Sequence, residues 1–283
     1  MPASKGMAMF ECGSSMSQVA SAEQFLGRRL SHIGGFFPQA SWSAVHESAR
    51  GLSRFRNSGR TLSWGMPMLV NDGGTLPQGA SGRYDSQYRQ LAQEIVAAGA
   101  GRMHIRLGWE FNGDVFRWSA LRDPNAFASF WRRIVNTMRS VPGGSGIKFD
   151  WNPGSGPSFV PLAAYPGDAY VSSIGMNVYD RTYGNQPKDP AARWDLYMNR
   201  PYGLRWLRDF ARAHGKPLMF GEWGVSSAHV SGVNRDNALF INRMADFINS
   251  NNVAYHIYFS CDSNYLHDLD HFPNARSAVR SRF

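Results

Sequence analysis

Residues 202–222 read YGLRWLRDFARAHGKPLMFGE. The first part, Tyr202–His214, has the apolar period of an amphipathic helix, and the glycine after His214 stops it. An apolar run of strand length, Pro217–Glu222, follows at once and ends on an acid beside Trp223 and Gly224. A helix that hands over to a short apolar strand is the repeating unit of an α/β fold with a parallel sheet.

The unit recurs on both sides. Strand candidates lie at Met7–Cys12, Leu30–Phe36, Thr61–Val70, Met103–Trp109, Ile147–Asn152, Val171–Tyr179, Pro217–Glu222 and Val253–Ser260. Between them, helical period is clearest in Ser86–Ala98, Asn125–Val141, Tyr202–His214 and Asn237–Asn249. In the last, Ile241, Met244, Phe247 and Ile248 recur at spacings of three and four, with Arg243 and Asp246 between them. Eight strands with intervening helices is the count of a (β/α)₈ TIM barrel, read as a single catalytic domain over 1–283. The rival, a doubly wound open sheet, needs a Gly-rich phosphate turn after its first strand, and Cys12-Gly13-Ser14-Ser15 does not match that fingerprint. The Gly-rich stretch Asn71–Arg83 reads as a long βα-loop.

No apolar run approaches the roughly 20 residues that span a bilayer. The formal charge of +9 attracts acidic matter, whether an anionic polysaccharide, a membrane surface or nucleic acid. The basic residues are nevertheless scattered over helices (Arg132, Arg133, Arg205, Arg208, Arg212), which is the pattern of a solvated exterior. No nucleic-acid signature and no metal-ligand spacing is present, so the expectation is no nucleic acid, no metal and no cofactor. Met1-Pro-Ala-Ser-Lys-Gly lacks the apolar stretch of a signal peptide. Cys12, which ends strand one, and Cys261, which follows strand eight, would be neighbours in a closed barrel. They read either as a bridge, which suits an oxidising compartment, or as two buried free thiols. The expectation is a monomer, secreted or periplasmic rather than cytoplasmic.

In a barrel of this kind the chemistry sits at the carboxyl ends of the strands. Strand four ends Arg106-Leu-Gly-Trp109-Glu110-Phe-Asn112-Gly113, and strand seven ends Phe220-Gly221-Glu222-Trp223-Gly224. Two acids at such strand ends suit glycosidic cleavage, in which one carboxyl protonates the leaving oxygen and the other stays ionised. Arg106 shares the strand parity of Glu110 and is placed to hold a carboxylate ionised; Tyr179, ending strand six, is placed to donate to Glu222. Which glutamate does which job does not follow from these residues alone.

An ordered set of motifs resembles the family 26 glycoside hydrolases. It comprises Arg106, Glu110, Asn112, Gly113 and Trp118; Tyr165 to Val171; Tyr179 and Asp180; and Lys216 to Gly224. The resemblance implies a retaining (β/α)₈ enzyme with Glu110 as acid/base and Glu222 as nucleophile. Two departures stand out. Trp109 occupies the position where the family has a sugar-contacting His, and Trp64-Gly-Met66-Pro67-Met68 lacks the usual His near the end of strand three. An indole in place of an imidazole points to a different sugar or linkage.

Trp118, Trp151 and Trp223 are candidate sugar platforms beside Trp109, Asn112 and Asn177 are candidates for sugar hydroxyls, and Trp64 is a candidate site wall. Asp150 and Asp180 read either as subsite acids or as simple loop acids, whereas His104, Trp131 and Trp206 read as core. The function expected is endo-acting hydrolysis of a β-mannan, β-glucan or β-xylan type polysaccharide. An acidic exopolysaccharide is the alternative substrate, and a non-catalytic carbohydrate-binding barrel the alternative function.

Overall fold

The computed structural model describes residues 5–156, 161–181, 186–227, 235–263 and 265–283. Residues 1–4, on which the leader reading partly falls, lie outside them. All eight expected strands form, at Gly6–Phe10 (β1), His32–Phe36 (β2), Thr61–Met66 (β3), His104–Leu107 (β4), Lys148–Trp151 (β5), Ser173–Asp180 (β6), Leu218–Val225 (β7) and Val253–Phe259 (β8). They are ordered β1-β8-β7-β6-β5-β4-β3-β2 in one sheet, and the recorded pairings are parallel. The fold is a (β/α)₈ barrel. The helices are Met16–Leu26 (α1), Trp42–Gly51 (α2), Leu76–Ala80 (α3), Asp85–Ala97 (α4), Pro124–Arg139 (α5), Pro190–Asn199 (α6), Leu204–Ala213 (α7), Ala238–Ser250 (α8) and Pro273–Arg282 (α9).

Two compact units divide the chain, one holding 1–34, 155–157 and 176–283, the other 35–154 and 158–175. In the second unit α5 shows why the helices form. Asp123 caps it by accepting from the Ala126 N–H at 2.8 Å, and Pro124 supplies a preset φ at the first turn. Its inner face buries Phe127, Phe130, Trp131, Ile134, Val135 and Met138, each contributing about 1.5–3 kcal/mol of apolar burial. The stretch read as a loop at Asn71–Arg83 contains α3. Thr75 and Gln78 form a reciprocal capping box that closes this short helix despite the glycines before it.

Several polar and aromatic residues placed at the sites by sequence turn out to be structural. Asp150 is fully buried, bonded to His104 Nδ1 at 2.8 Å and to the Ser173 hydroxyl. Trp64 packs on Phe55 with ring centroids 5.6 Å apart and is buried, so it forms core and not a site wall.

In the first unit, Asp180 ends β6 and is held by four donors: Arg193 Nε at 2.9 Å and Nη2 at 2.8 Å, Tyr197 Oη at 2.9 Å, and Asn237 Nδ2 at 2.6 Å. It ties β6 to α6 and to the cap of α8, which makes it a buried ion-pair hub where a subsite acid was expected. Ala8, Met219, Tyr255 and Ile257 form a fully buried cluster from β1, β7 and β8. Phe10 pairs in register with Phe259, and two residues beyond each strand Cys12 and Cys261 form a disulfide with Cα atoms 4.7 Å apart.

That bridge closes a loop of 249 residues. In the chain-entropy view it stabilises the fold by about 5 kcal/mol. The Cys12→Ser/Cys261→Ser variant should therefore melt about 10 °C lower, and added reductant should lower the wild type equally. Asp180→Ala leaves the buried Arg193 guanidinium without its carboxylate and should cost about 3–5 kcal/mol in denaturant unfolding.

Candidate active site

Glu222 sits within β7, not at its end. Phe220 pairs with His256 and Trp223 with Tyr258, so Gly221 and Glu222 together stand opposite the single residue Ile257. This β-bulge changes the strand's alternation. Phe220 and Trp223 both face α8, with centroids 6.0 Å from Phe247 and 6.4 Å from Phe240 respectively. Glu222 is thereby aimed away from α8, and uninterrupted alternation would have put it on the side of Phe220.

Two residues of β6 with the same parity meet its carboxylate. Asn177 Nδ2 donates to Oε1 at 2.7 Å and Tyr179 Oη donates to Oε2 at 2.7 Å. Glu222 is 8% exposed, so both oxygens need such donors, and the pair fixes the plane of the carboxylate. Asn177, expected at sugar hydroxyls, is buried and spends its amide on Glu222. The Tyr179 ring in turn lies 4.6 Å from that of His267.

His267 and Arg181 complete this shell, and the sequence pattern did not single them out. The His267 Nδ1–H donates to the Val225 carbonyl at 3.0 Å, while Nε2 lies 3.3 Å from Arg181 Nη2, where the guanidinium is the donor. The ring is therefore a neutral imidazole. Burial first, then the Arg181 charge, pushes its pKa down to about 4. The Arg181 guanidinium also lies over the Tyr265 ring at 3.9 Å.

Glu110 is presented differently. β4 ends at Leu107, and the parity shared by Arg106, Gly108 and Glu110 ends with it, because Gly108 (φ 54°) and Glu110 (φ 53°) both adopt the left-handed conformation. Gly108 is required there, since a Cβ would lie 2.7 Å from Met68 Sδ. Glu110 has no such licence. Its backbone costs roughly 1–2 kcal/mol and is held by the Glu110 N–H donating to the Asn152 carbonyl at 2.8 Å.

The rest of this loop is braced by residues expected to touch sugar. Asn112 Nδ2 donates to the Gly154 carbonyl at 2.8 Å and its Oδ1 accepts from the Gly154 N–H at 2.7 Å, so the side chain acts as a strand-like clamp. Trp118 donates its indole N–H to the Trp109 carbonyl at 2.9 Å and stacks on Phe116 at 4.6 Å. Trp109 is buried among Phe36, Phe116 and Trp118. Arg106 is also buried, donating to the Gly35 carbonyl at 2.8 Å with its guanidinium 4.6 Å from the Phe36 ring centroid.

A sugar platform needs an open face, and Trp118, Trp151 and Trp223 have none. Trp151 is enclosed by Phe111 and Tyr165. Trp223 donates to His256 Nδ1 at 3.1 Å and packs on Tyr258 and Phe283, in the helix-facing layer. The partly open aromatic rings near Glu110 are instead Phe36 and Phe116. Phe36, the last residue of β2, is the one whose position gave a signal.

These features define a (β/α)₈ protein with one acid in the loop after β4 and another in a bulge of β7. The family model described as glycosyl hydrolase family 26 matches residues 88–194, a span that takes in Glu110, Asn177 and Tyr179. Over this span the chain is similar to that family. It is 26% identical over 149 residues to a mannan endo-1,4-beta-mannosidase of Bifidobacterium adolescentis, a match covering 50% of this chain but only 14% of that much longer protein. Among solved structures, GH26C from a Muricauda species superposes with a TM-score of 0.68 at 14% identity, covering 98% of this chain and 84% of that one. The Bacillus subtilis mannanase man26 superposes at 0.63 with 17% identity, covering 97% and 83%. At such identities the superpositions speak for the fold.

The pKa of His267 carries a stability consequence. Its folded value, about 4, lies below the ordinary 6.5. Its contribution is therefore complete above pH 6.5 and is lost as pH falls toward 4, by at most about 3 kcal/mol. His267→Asn keeps a donor for the Val225 carbonyl, and a melting series across this range should show a flatter acid limb than wild type.

Proposed function

We propose that the chain is a retaining glycoside hydrolase that cleaves a β-linked polysaccharide of the β-mannan type by double displacement, acting within the polymer. The observation that carries the reading is the clamp on Glu222, whose two oxygens accept from Asn177 and Tyr179 within a bulge that isolates this one acid from its strand's packing. The family 26 match over 88–194 and the mannosidase relative support the substrate class.

In this reading Glu222 attacks the anomeric carbon as a carboxylate while Glu110 gives its proton to the departing oxygen. Glu110 then takes a proton from water, which displaces Glu222 from the glycosyl-enzyme and restores both groups. Asn177 and Tyr179 orient the attacking carboxylate, and Arg106 anchors the strand that leads to Glu110. The same reading treats the chain as one catalytic domain, monomeric and without a cofactor. The Cys12–Cys261 bridge favours an oxidising, secreted or periplasmic setting.

Glu222→Ala and Glu110→Ala should each lower kcat on β-mannan by roughly 10³-fold or more. Azide should rescue Glu222→Ala with inversion at the anomeric carbon, and Glu110→Ala should spare aryl glycosides with good leaving groups. Undiminished turnover in either variant overturns the assignment. Binding of β-mannan without turnover by the wild type would identify a carbohydrate-binding barrel instead.

A further inference from the structure

The loop that starts at Glu110 also carries Arg117 and Arg122, both exposed. Arg117 Nη2 donates to the Gly74 carbonyl at 3.2 Å. Arg122 Nη1 donates to the carbonyls of Phe116 at 2.7 Å and Arg117 at 3.0 Å, and Nη2 to that of Asp114 at 3.4 Å. Among the described residues these guanidinium groups meet main-chain oxygens and no carboxylate in an ion pair. Carbonyls position a guanidinium without neutralising it, so both charges remain available to a ligand.

The two arginines line an open pocket of about 530 Å³ together with Thr75, Leu76, Pro77 and Asp123. Leu76 and Pro77 provide an apolar wall, and Thr75 a hydroxyl. Among the described residues Asp123 is the single acid lining it, and its Oδ1 is committed to the N–H of Ala126 as the cap of α5. The pocket therefore combines a surplus positive charge with a surface suited to the C–H face of a sugar ring.

Its place in the loop links it to the chemistry. The Ala120 N–H donates to the Phe111 carbonyl at 2.8 Å, folding the loop back beside Glu110. Arg122 lies two residues further, at most about 7 Å of chain. Arg117 precedes Trp118, whose indole holds the carbonyl of Trp109. The pocket is thus within a few sugar units of Glu110. The formal charge of +9 over the chain favours an anionic polymer in the same sense.

We infer that this pocket is a subsite for a carboxylate-bearing sugar, so that the polysaccharide cut by this protein carries acidic residues or substituents near the cleaved bond. The inference rests on the reading of Glu110 as the acid/base of a polysaccharide hydrolase, and its test is separable from that reading. The probes are a β-mannan bearing glucuronate side residues and the same polymer after carboxyl reduction. Binding of each to the full-length Glu222→Ala chain is measured by affinity electrophoresis, and hydrolysis of each by the wild type is followed in parallel.

The carboxylated polymer should bind about three- to tenfold more tightly than its reduced form, a preference that shrinks as salt rises. Arg117→Gln/Arg122→Gln keeps donors for the loop carbonyls while removing both charges, and should abolish the preference with binding of the reduced polymer retained. Arg117→Lys/Arg122→Lys should keep it. Equal binding of the two polymers, binding of neither, or a preference that survives the Gln variant overturns the inference. Preferential binding without hydrolysis of either polymer by the wild type would instead overturn the proposed function and leave the subsite standing.

Discussion

A carboxylate taken out of water must find donors, and the arrangement around Glu222 follows from that requirement. Burial inside β7 would neutralise or misplace the acid unless a neighbouring strand presented hydrogen-bond donors at the same height. β6 does so with Asn177 and Tyr179, two residues apart and on one face. Tyr179 is backed by His267, which is kept neutral by burial beside Arg181. A residue inside a strand is also held more rigidly than one in a loop.

The surroundings of Glu110, in the loop after β4, differ from those of Glu222. Glu110 sits beyond its strand, half-buried, on a left-handed backbone that is unfavourable by itself. The strain persists because the loop is over-determined: the Asn152 carbonyl takes the Glu110 N–H, Asn112 clamps Gly154, and the Trp118 indole pins Trp109. Trp109 and Trp118 are buried and, packed with Phe116, brace the loop.

Buried carboxylates and the donors that hold them set the remainder of the frame. Asp180 with Arg193, and Asp150 with His104, look from the sequence like acids at the mouth of a barrel. Each acid is satisfied by several donors on neighbouring elements, which leaves little capacity for a ligand. The Cys12–Cys261 bridge extends the β1–β8 register by two residues beyond each strand.

Strand number, helix positions and fold class were legible in the sequence, as was the placing of Glu110 after β4 and Glu222 on β7. Apolar periodicity and glycine stops are local properties, and acids placed against apolar strands betray a cost that only function or pairing explains. The exact strand ends were less legible, since alternation says nothing about where a turn begins. Tertiary structure alone decided which face Trp223 and Glu222 take, because one extra residue opposite Ile257 inverts the alternation that sequence reading assumes. It also decided that Trp118, Trp151 and Asn112 are buried, and that Arg117 and Arg122 share a pocket. Such outcomes depend on which side chains from distant segments reach a given space first. A one-dimensional pattern does not contain that competition.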